Sequence, residues 1–125
     1  MGEISAEDAL RVRRVYEPPE PADGARVLVD RLWPRGLSKA DAQLTEWCKD
    51  VAPSSELRRW FHHEGPRFAE FAERYREELA REAVRPALEG LRERAAQGPL
   101  TLLTATKDVS VSHVNVLAEV LREGF

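Results

Sequence analysis

Two short apolar runs, Arg26–Val29 and Leu100–Ala105, constrain the fold of this chain more than any other feature. Each run is continuous and flanked by turn residues, which is typical of a strand covered on both faces. Helical periodicity fills the sequence between them, and the connection would be a right-handed crossover if the two strands are parallel. We therefore predict an α/β fold: a single small domain with a short, mostly parallel sheet of three or slightly more strands, and helices packed on it.

The remaining elements follow from weaker signals. Leu10–Tyr16 carries three arginines among β-branched and aromatic residues, which indicates an edge strand. The stretch Glu17–Gly24 contains three prolines and a turn pair, and is predicted to be a loop. Helices are predicted to open at Ser38, to follow the N-cap Ser54, and to run over Arg67–Leu79, from about Glu82 to Gln97 and from Ser110 or Ser112 to Arg122. Residues 1–9 are predicted to form a flexible segment before a domain at residues 10–125.

The charge balance excludes several classes of protein. The chain has 22 acidic and 19 basic residues and no helix-turn-helix with a basic recognition helix, so nucleic-acid binding is not expected. Its apolar stretches are too short to span a bilayer, and its acidic N-terminus is unlike a signal peptide. The single cysteine, Cys48, indicates a reducing compartment and is predicted to be a buried, inert thiol. We predict a cytoplasmic protein with no membrane partner, and the composition leaves its oligomeric state open.

Polar side chains follow both apolar runs, at the ends of strands where α/β sheets usually bind ligands. The first loop supplies Asp30, Arg31, Trp33 and Arg35, and the second supplies Lys107 and Asp108, with His113 on the helix that follows. Arginine forks, a lysine charge and the free N–H groups of a helix N-terminus are typical of a pocket for an anion. If the two strands are neighbours, we expect Asp30 and His113 to transfer protons there and the other five residues to bind the ligand.

The same residues also admit a structural interpretation. Asp30 and Arg31 would then pair with the charged residues of the second loop, and Trp33 would fill the edge of the core. The adjacent His62 and His63 would point about 100° apart on a helix and lack a third ligand at helical spacing, so no metal site is predicted. The sequence has no glycine-rich phosphate loop or nucleophile elbow, so neither a cofactor nor a named reaction is predicted.

Four sequence blocks occur in order along nearly the whole chain. They are Arg14–Tyr16, Val27–Gly36, Ala52–Arg58, and Thr101–Leu103 with Ala105–Asp108. Together they resemble the YeaO-like branch of domain-of-unknown-function family 488. The resemblance implies a small bacterial or archaeal cytoplasmic protein of α/β fold whose activity is not established, with polar residues at the positions of Asp30, Arg31, Lys107, Asp108 and His113. The chain departs from the branch at Thr104 and Ser112.

Two functions are compatible with these residues. The first is binding of a small anionic ligand, phosphate- or nucleotide-bearing, by Arg31, Arg35 and Lys107, with acid/base catalysis by Asp30 or His113. The second is a non-enzymatic interaction or regulatory module in which the same polar residues are structural.

Overall fold

The computed structural model describes residues 10–62 and 64–124, so the flexible segment predicted for residues 1–9 lies outside the described residues. Four strands are described: β1 (Leu10–Arg14), β2 (Ala25–Leu28), β3 (Glu46–Trp47) and β4 (Leu100–Thr104). They form one sheet in the order β1-β4-β2-β3, and every pair is parallel. The predicted α/β class and the edge position of the first strand are confirmed. Strand β3 was not predicted, because a two-residue strand carries no periodic pattern.

The described α-helices are α1 (Lys39–Ala42), α2 (Ser55–Phe61), α3 (Phe68–Leu79), α4 (Arg85–Gln97) and α5 (His113–Glu123). The predicted N-cap of α2 is confirmed, since Ser54 Oγ accepts a hydrogen bond from the Leu57 N–H at 3.1 Å. The predicted division of the helical region near Glu82 is confirmed, although the first turn after it is not α-helical. Glu82–Val84 forms a 3₁₀ turn, and α4 begins afterwards with Pro86 in its first turn, where a missing N–H costs nothing.

The main core lies between the helices and one face of the sheet. Val27 of β2 and Leu102 of β4 belong to this core together with Phe71 and Tyr75 of α3 and Leu117 of α5, and all five are at most 1% exposed. Burying an apolar side chain of this size contributes about 1.5–3 kcal/mol. This packing fixes the end of β2 and the start of α5 relative to each other, which positions the candidate site.

The opposite face of the sheet is covered by loops and by the short helix α1. Arg13, Arg26 and Thr101 lie on this face and contact Asp23, which is 1% exposed. Arg26 and Arg13 bind the Asp23 carboxylate at 2.7 and 2.8 Å. Thr101 Oγ1 donates to the backbone carbonyl oxygen of Asp23 at 2.8 Å. A smaller apolar cluster shares the face and contains Val15, Leu28, Leu103, Trp33 and Trp47.

Cys48 is buried, as predicted, with 7% exposure. Burial raises the pKa of its thiol, and the negative charge of Glu46 adds to the effect. None of the described helices is both long enough and apolar enough to cross a membrane. Residues 10–62 and 64–124 contain no cluster of His, Cys, Asp and Glu that could hold a metal ion, and His63 lies outside them.

Candidate functional site

The loops after β2 and β4 meet at one edge of the sheet because the two strands are neighbours. The Val29 N–H donates to the Leu103 carbonyl at 3.1 Å and so extends the strand pairing by one residue. Asp30 follows, and its Oδ2 accepts a hydrogen bond from the Ala105 N–H at 2.8 Å. The condition on which the predicted site depended, that the two strands be neighbours, is therefore met.

Asp30 and His113 form a pair at this edge. Nε2 of His113, at the first position of α5, lies 3.3 Å from Asp30 Oδ1 and 3.0 Å from the Val29 carbonyl oxygen. The two side chains are 15% and 11% exposed. Burial alone would raise the pKa of Asp30, but the His113 contact and the Ala105 N–H outweigh burial and hold this pKa below its usual range. Asp30 is therefore a carboxylate at neutral pH.

The pair lines a cleft of about 360 Å³, a volume within the range of small-molecule sites. Phe61 of α2 and Phe71 of α3 are among its lining residues but are only 4% and 1% exposed, and their stacked rings have centroids 4.4 Å apart. The other lining residues are Tyr16, Arg31, Leu32, Trp33, Pro34, Arg35, Pro53, Arg58, Ala105, Thr106 and Ser112. The cleft thus combines apolar walls with one carboxylate, one imidazole and several guanidinium groups.

Arg31 and Trp33 line the cleft, but their polar atoms bind the protein itself. Arg31 donates from Nε to the Pro53 carbonyl at 3.1 Å and from Nη2 to the Ala52 carbonyl at 3.3 Å. Trp33 donates from Nε1 to the Leu37 carbonyl at 2.7 Å. These hydrogen bonds fix the loop after β2 and the segment that opposes it, so both side chains shape the cleft wall.

Arg35 and Arg58 differ from Arg31, because neither guanidinium group has a hydrogen bond or ion pair with the described residues. Arg35 lies on the loop after β2, and Arg58 lies on α2. Sequence reasoning predicted Arg35 but missed Arg58. The signal that indicates Arg58 is its spacing of three residues from Phe61. Residues three apart on a helix share a face, and Phe61 also lines the cleft.

Lys107 and Asp108 are not among the lining residues, so the cleft brings together five of the seven predicted site residues. Asp108 Oδ1 accepts hydrogen bonds from the Ser110 N–H at 3.1 Å and from the Ser110 hydroxyl at 2.5 Å, which caps the turn before α5. The Lys107 side chain is exposed. The ion pairs that the structural interpretation predicted between the two loops are absent from the described residues, where Asp30 instead contacts Ala105 and His113.

Residues 9–125 match a family model described as the inactive DUF488-N3 subclade. The uncharacterized protein Rv3073c of Mycobacterium tuberculosis (strain ATCC 25618 / H37Rv) is 53% identical over 115 residues, which cover 92% of this chain and 95% of the relative. The uncharacterized protein YeaO of Escherichia coli (strain K12) is 47% identical over 115 residues, which cover 90% and 96%. No solved structure matches the chain. The match along almost its whole length and the two similar bacterial proteins show that this chain is a YeaO-like member of the DUF488 family.

Proposed function

We propose that this protein binds a small anionic molecule in the cleft and does not transform it. The observation that carries the proposal is the pair of guanidinium groups of Arg35 and Arg58. They line one cleft from two different segments, and neither has a partner among the described residues. A guanidinium group binds phosphate or carboxylate oxygens through forked, charge-assisted hydrogen bonds. An anion bound by both guanidinium groups would supply the hydrogen-bond acceptors that the described residues do not supply.

The rest of the lining supports a ligand with a compact apolar or aromatic body. Tyr16 and Leu32 are exposed apolar lining residues, whereas Pro34, Pro53, Phe61 and Phe71 line the cleft with little exposed surface of their own. Small-molecule sites commonly combine such walls with a few polar groups that fix orientation. A phosphate-bearing ring compound, such as a nucleotide, has both parts.

Binding without turnover is supported by the chemistry of the lining. Asp30 has a lowered pKa and is a weak base, whereas an efficient general base has a pKa near the working pH. The Ser112 hydroxyl is buried and donates to the Val109 carbonyl at 2.9 Å, so it is not held against a base as a nucleophile. The matching family model is also described as inactive. Detection of turnover would contradict binding without transformation and would support the proton transfer that the sequence predicts for Asp30 and His113.

Titration calorimetry with nucleoside monophosphates, sugar phosphates and benzylphosphonate tests the proposal. We expect at least one of these compounds to bind, and we expect Arg35→Ala and Arg58→Ala each to weaken its binding about tenfold or more, through loss of hydrogen bonds to a charged group. Arg59→Ala is the matched control, because Arg59 is the exposed neighbour of Arg58 and does not line the cleft. Failure of every compound to bind, or equal losses in Arg58→Ala and Arg59→Ala, would refute the proposal.

Exposed apolar surface beside the cleft favours a second candidate function, an interaction module. Leu32 is 62% exposed and Tyr16 is 40% exposed, and both line the cleft. A contiguous patch of large, exposed apolar side chains marks a contact site for another protein. A protein partner lost on Leu32→Ser, together with no binding of any anionic compound, would favour this function.

A further inference from the structure

The contacts of His113 determine which of its two ring nitrogens carries the proton. Nε2 faces the Asp30 carboxylate and the Val29 carbonyl, and both groups only accept hydrogen bonds. We therefore assign the proton of the neutral imidazole to Nε2, which leaves the lone pair on Nδ1. Among the described residues Nδ1 has no hydrogen-bond partner, and it is not fully buried. Nδ1 is thus an unpaired acceptor on a residue that lines the cleft.

Neighbouring side chains hold the imidazole in this orientation. The Tyr75 ring packs edge-on against it, with centroids 5.9 Å apart and planes at 73°. Tyr75 is itself fixed, because it is fully buried and its hydroxyl donates to the Val51 carbonyl at 2.5 Å. Rotating the imidazole by 180° would place a C–H group against Asp30 in place of the Nε2 proton. The Val29 carbonyl, which accepts the Nε2 hydrogen bond, and the nearby Asp30 charge therefore position His113.

Resting on the proposed function, we infer that the ligand is an anion that also carries an N–H or O–H donor, and that His113 Nδ1 accepts the hydrogen bond from that donor. Arg35 and Arg58 offer only donors, so they recognise the acceptor oxygens of a phosphate or carboxylate. His113 Nδ1 instead offers a hydrogen-bond acceptor, on another residue of the same cleft lining. The ligand class is an amino- or hydroxyl-substituted phosphate, phosphonate or carboxylate.

Two probes that differ by one donor group test this inference: benzylphosphonate and 4-aminobenzylphosphonate. At about pH 8, we expect the wild type to bind the amino compound about fivefold more tightly, the value of one neutral hydrogen bond. His113→Phe should keep the aromatic packing and reduce the ratio of the two affinities to about one.

Imidazole ¹⁵N spectra report which ring nitrogen of His113 carries the proton. If His113 were purely structural, these signals would not respond to the amino probe. The chain has three histidines, and the His113→Phe variant assigns the relevant pair of signals. We expect a protonated Nε2 and an unprotonated Nδ1, with Nδ1 shifting on addition of the amino probe only. Equal affinities for the two probes, or a proton found on Nδ1, would overturn this inference and leave the proposed function standing. If neither probe nor any other anion binds, the proposed function fails and the inference fails with it.

Discussion

Arg26 and Asp23 form an ion pair in which both side chains are buried: Nη1 lies 2.7 Å from Oδ2, and the side chains are 5% and 1% exposed. The pair lies on the loop-covered face of the sheet, and Arg13 of β1 also binds the Asp23 carboxylate. It therefore connects the loop before β2 to two strands that are not neighbours in the sheet. Its role is structural, and it contributes nothing to the cleft.

Asp23→Ala is expected to lower the free energy of unfolding by about 3–5 kcal/mol, because it leaves the buried Arg26 guanidinium without a carboxylate partner and with only the Ala42 carbonyl as an acceptor. Glu17→Ala is the matched control, since it removes an ion pair with Arg13 in which Glu17 is 45% exposed, and it should cost about 1 kcal/mol or less. Urea unfolding followed by circular dichroism measures both. A loss for Asp23→Ala no larger than that of the control would show that the pair is not a major stabilising contact.

Stability should decrease in acid because of Asp23 and Asp30. Burial would raise the pKa of Asp23, but hydrogen bonds from the Glu20 N–H, Arg26 and Arg13 outweigh burial and lower it. The folded pKa of each carboxylate lies below its ordinary value of 3.8, so the stabilisation is present above that pH and is lost as the pH falls through the folded pKa. We expect the free energy of unfolding to fall between about pH 5 and pH 2. Asp23→Asn should flatten this dependence, and an unchanged slope would contradict the assignment.

Tyr75 should limit stability at high pH. Complete burial raises its pKa well above the ordinary value of 10.0, so its contribution is present below pH 10 and is lost as the pH rises further. The chain has two tyrosines, and tyrosinate absorbance should show one of them ionising only as the protein unfolds. Tyr75→Phe should remove that step and cost about 1–2 kcal/mol at neutral pH through the lost bond to Val51. Tyr16→Phe is the control, and ionisation of Tyr75 in the folded protein would contradict this prediction.

Arg31 and Arg35 should respond differently to substitution, because the guanidinium group of Arg31 binds the protein and that of Arg35 has no partner among the described residues. Arg31→Lys loses the fork that spans the Ala52 and Pro53 carbonyls, so we expect a loss of about 1–2 kcal/mol in the free energy of unfolding. Arg35→Ala should change it by less than about 0.5 kcal/mol, as exposed surface substitutions do. Chemical denaturation of the two variants compares them. A larger loss for Arg35→Ala would mean that its side chain is structural.

The sequence predicted most of the charged residues of the cleft, but not which of them bind the protein and which are left unpaired. Asp30, Arg35 and His113 were identified because polar residues after two buried strands converge when those strands are neighbours. Arg58 was missed because it lies on a helix far from both loops in sequence. The opposite roles of Arg31 and Arg35 could not be separated, since an arginine looks the same in a sequence whether it binds a backbone carbonyl or is left for a ligand.

The sequence by itself determined the α/β class, the buried runs that became β2 and β4, the cap of α2 and the burial of Cys48. These features depend on burial pattern and on hydrogen bonds between residues close in the chain, which a linear pattern encodes. Only the tertiary structure decided the strand order, the pairing of β3 and the contacts of His113. Those depend on contacts between distant segments, such as the Val29 carbonyl and Asp30 meeting the first residue of α5, and they exist only after the chain has packed.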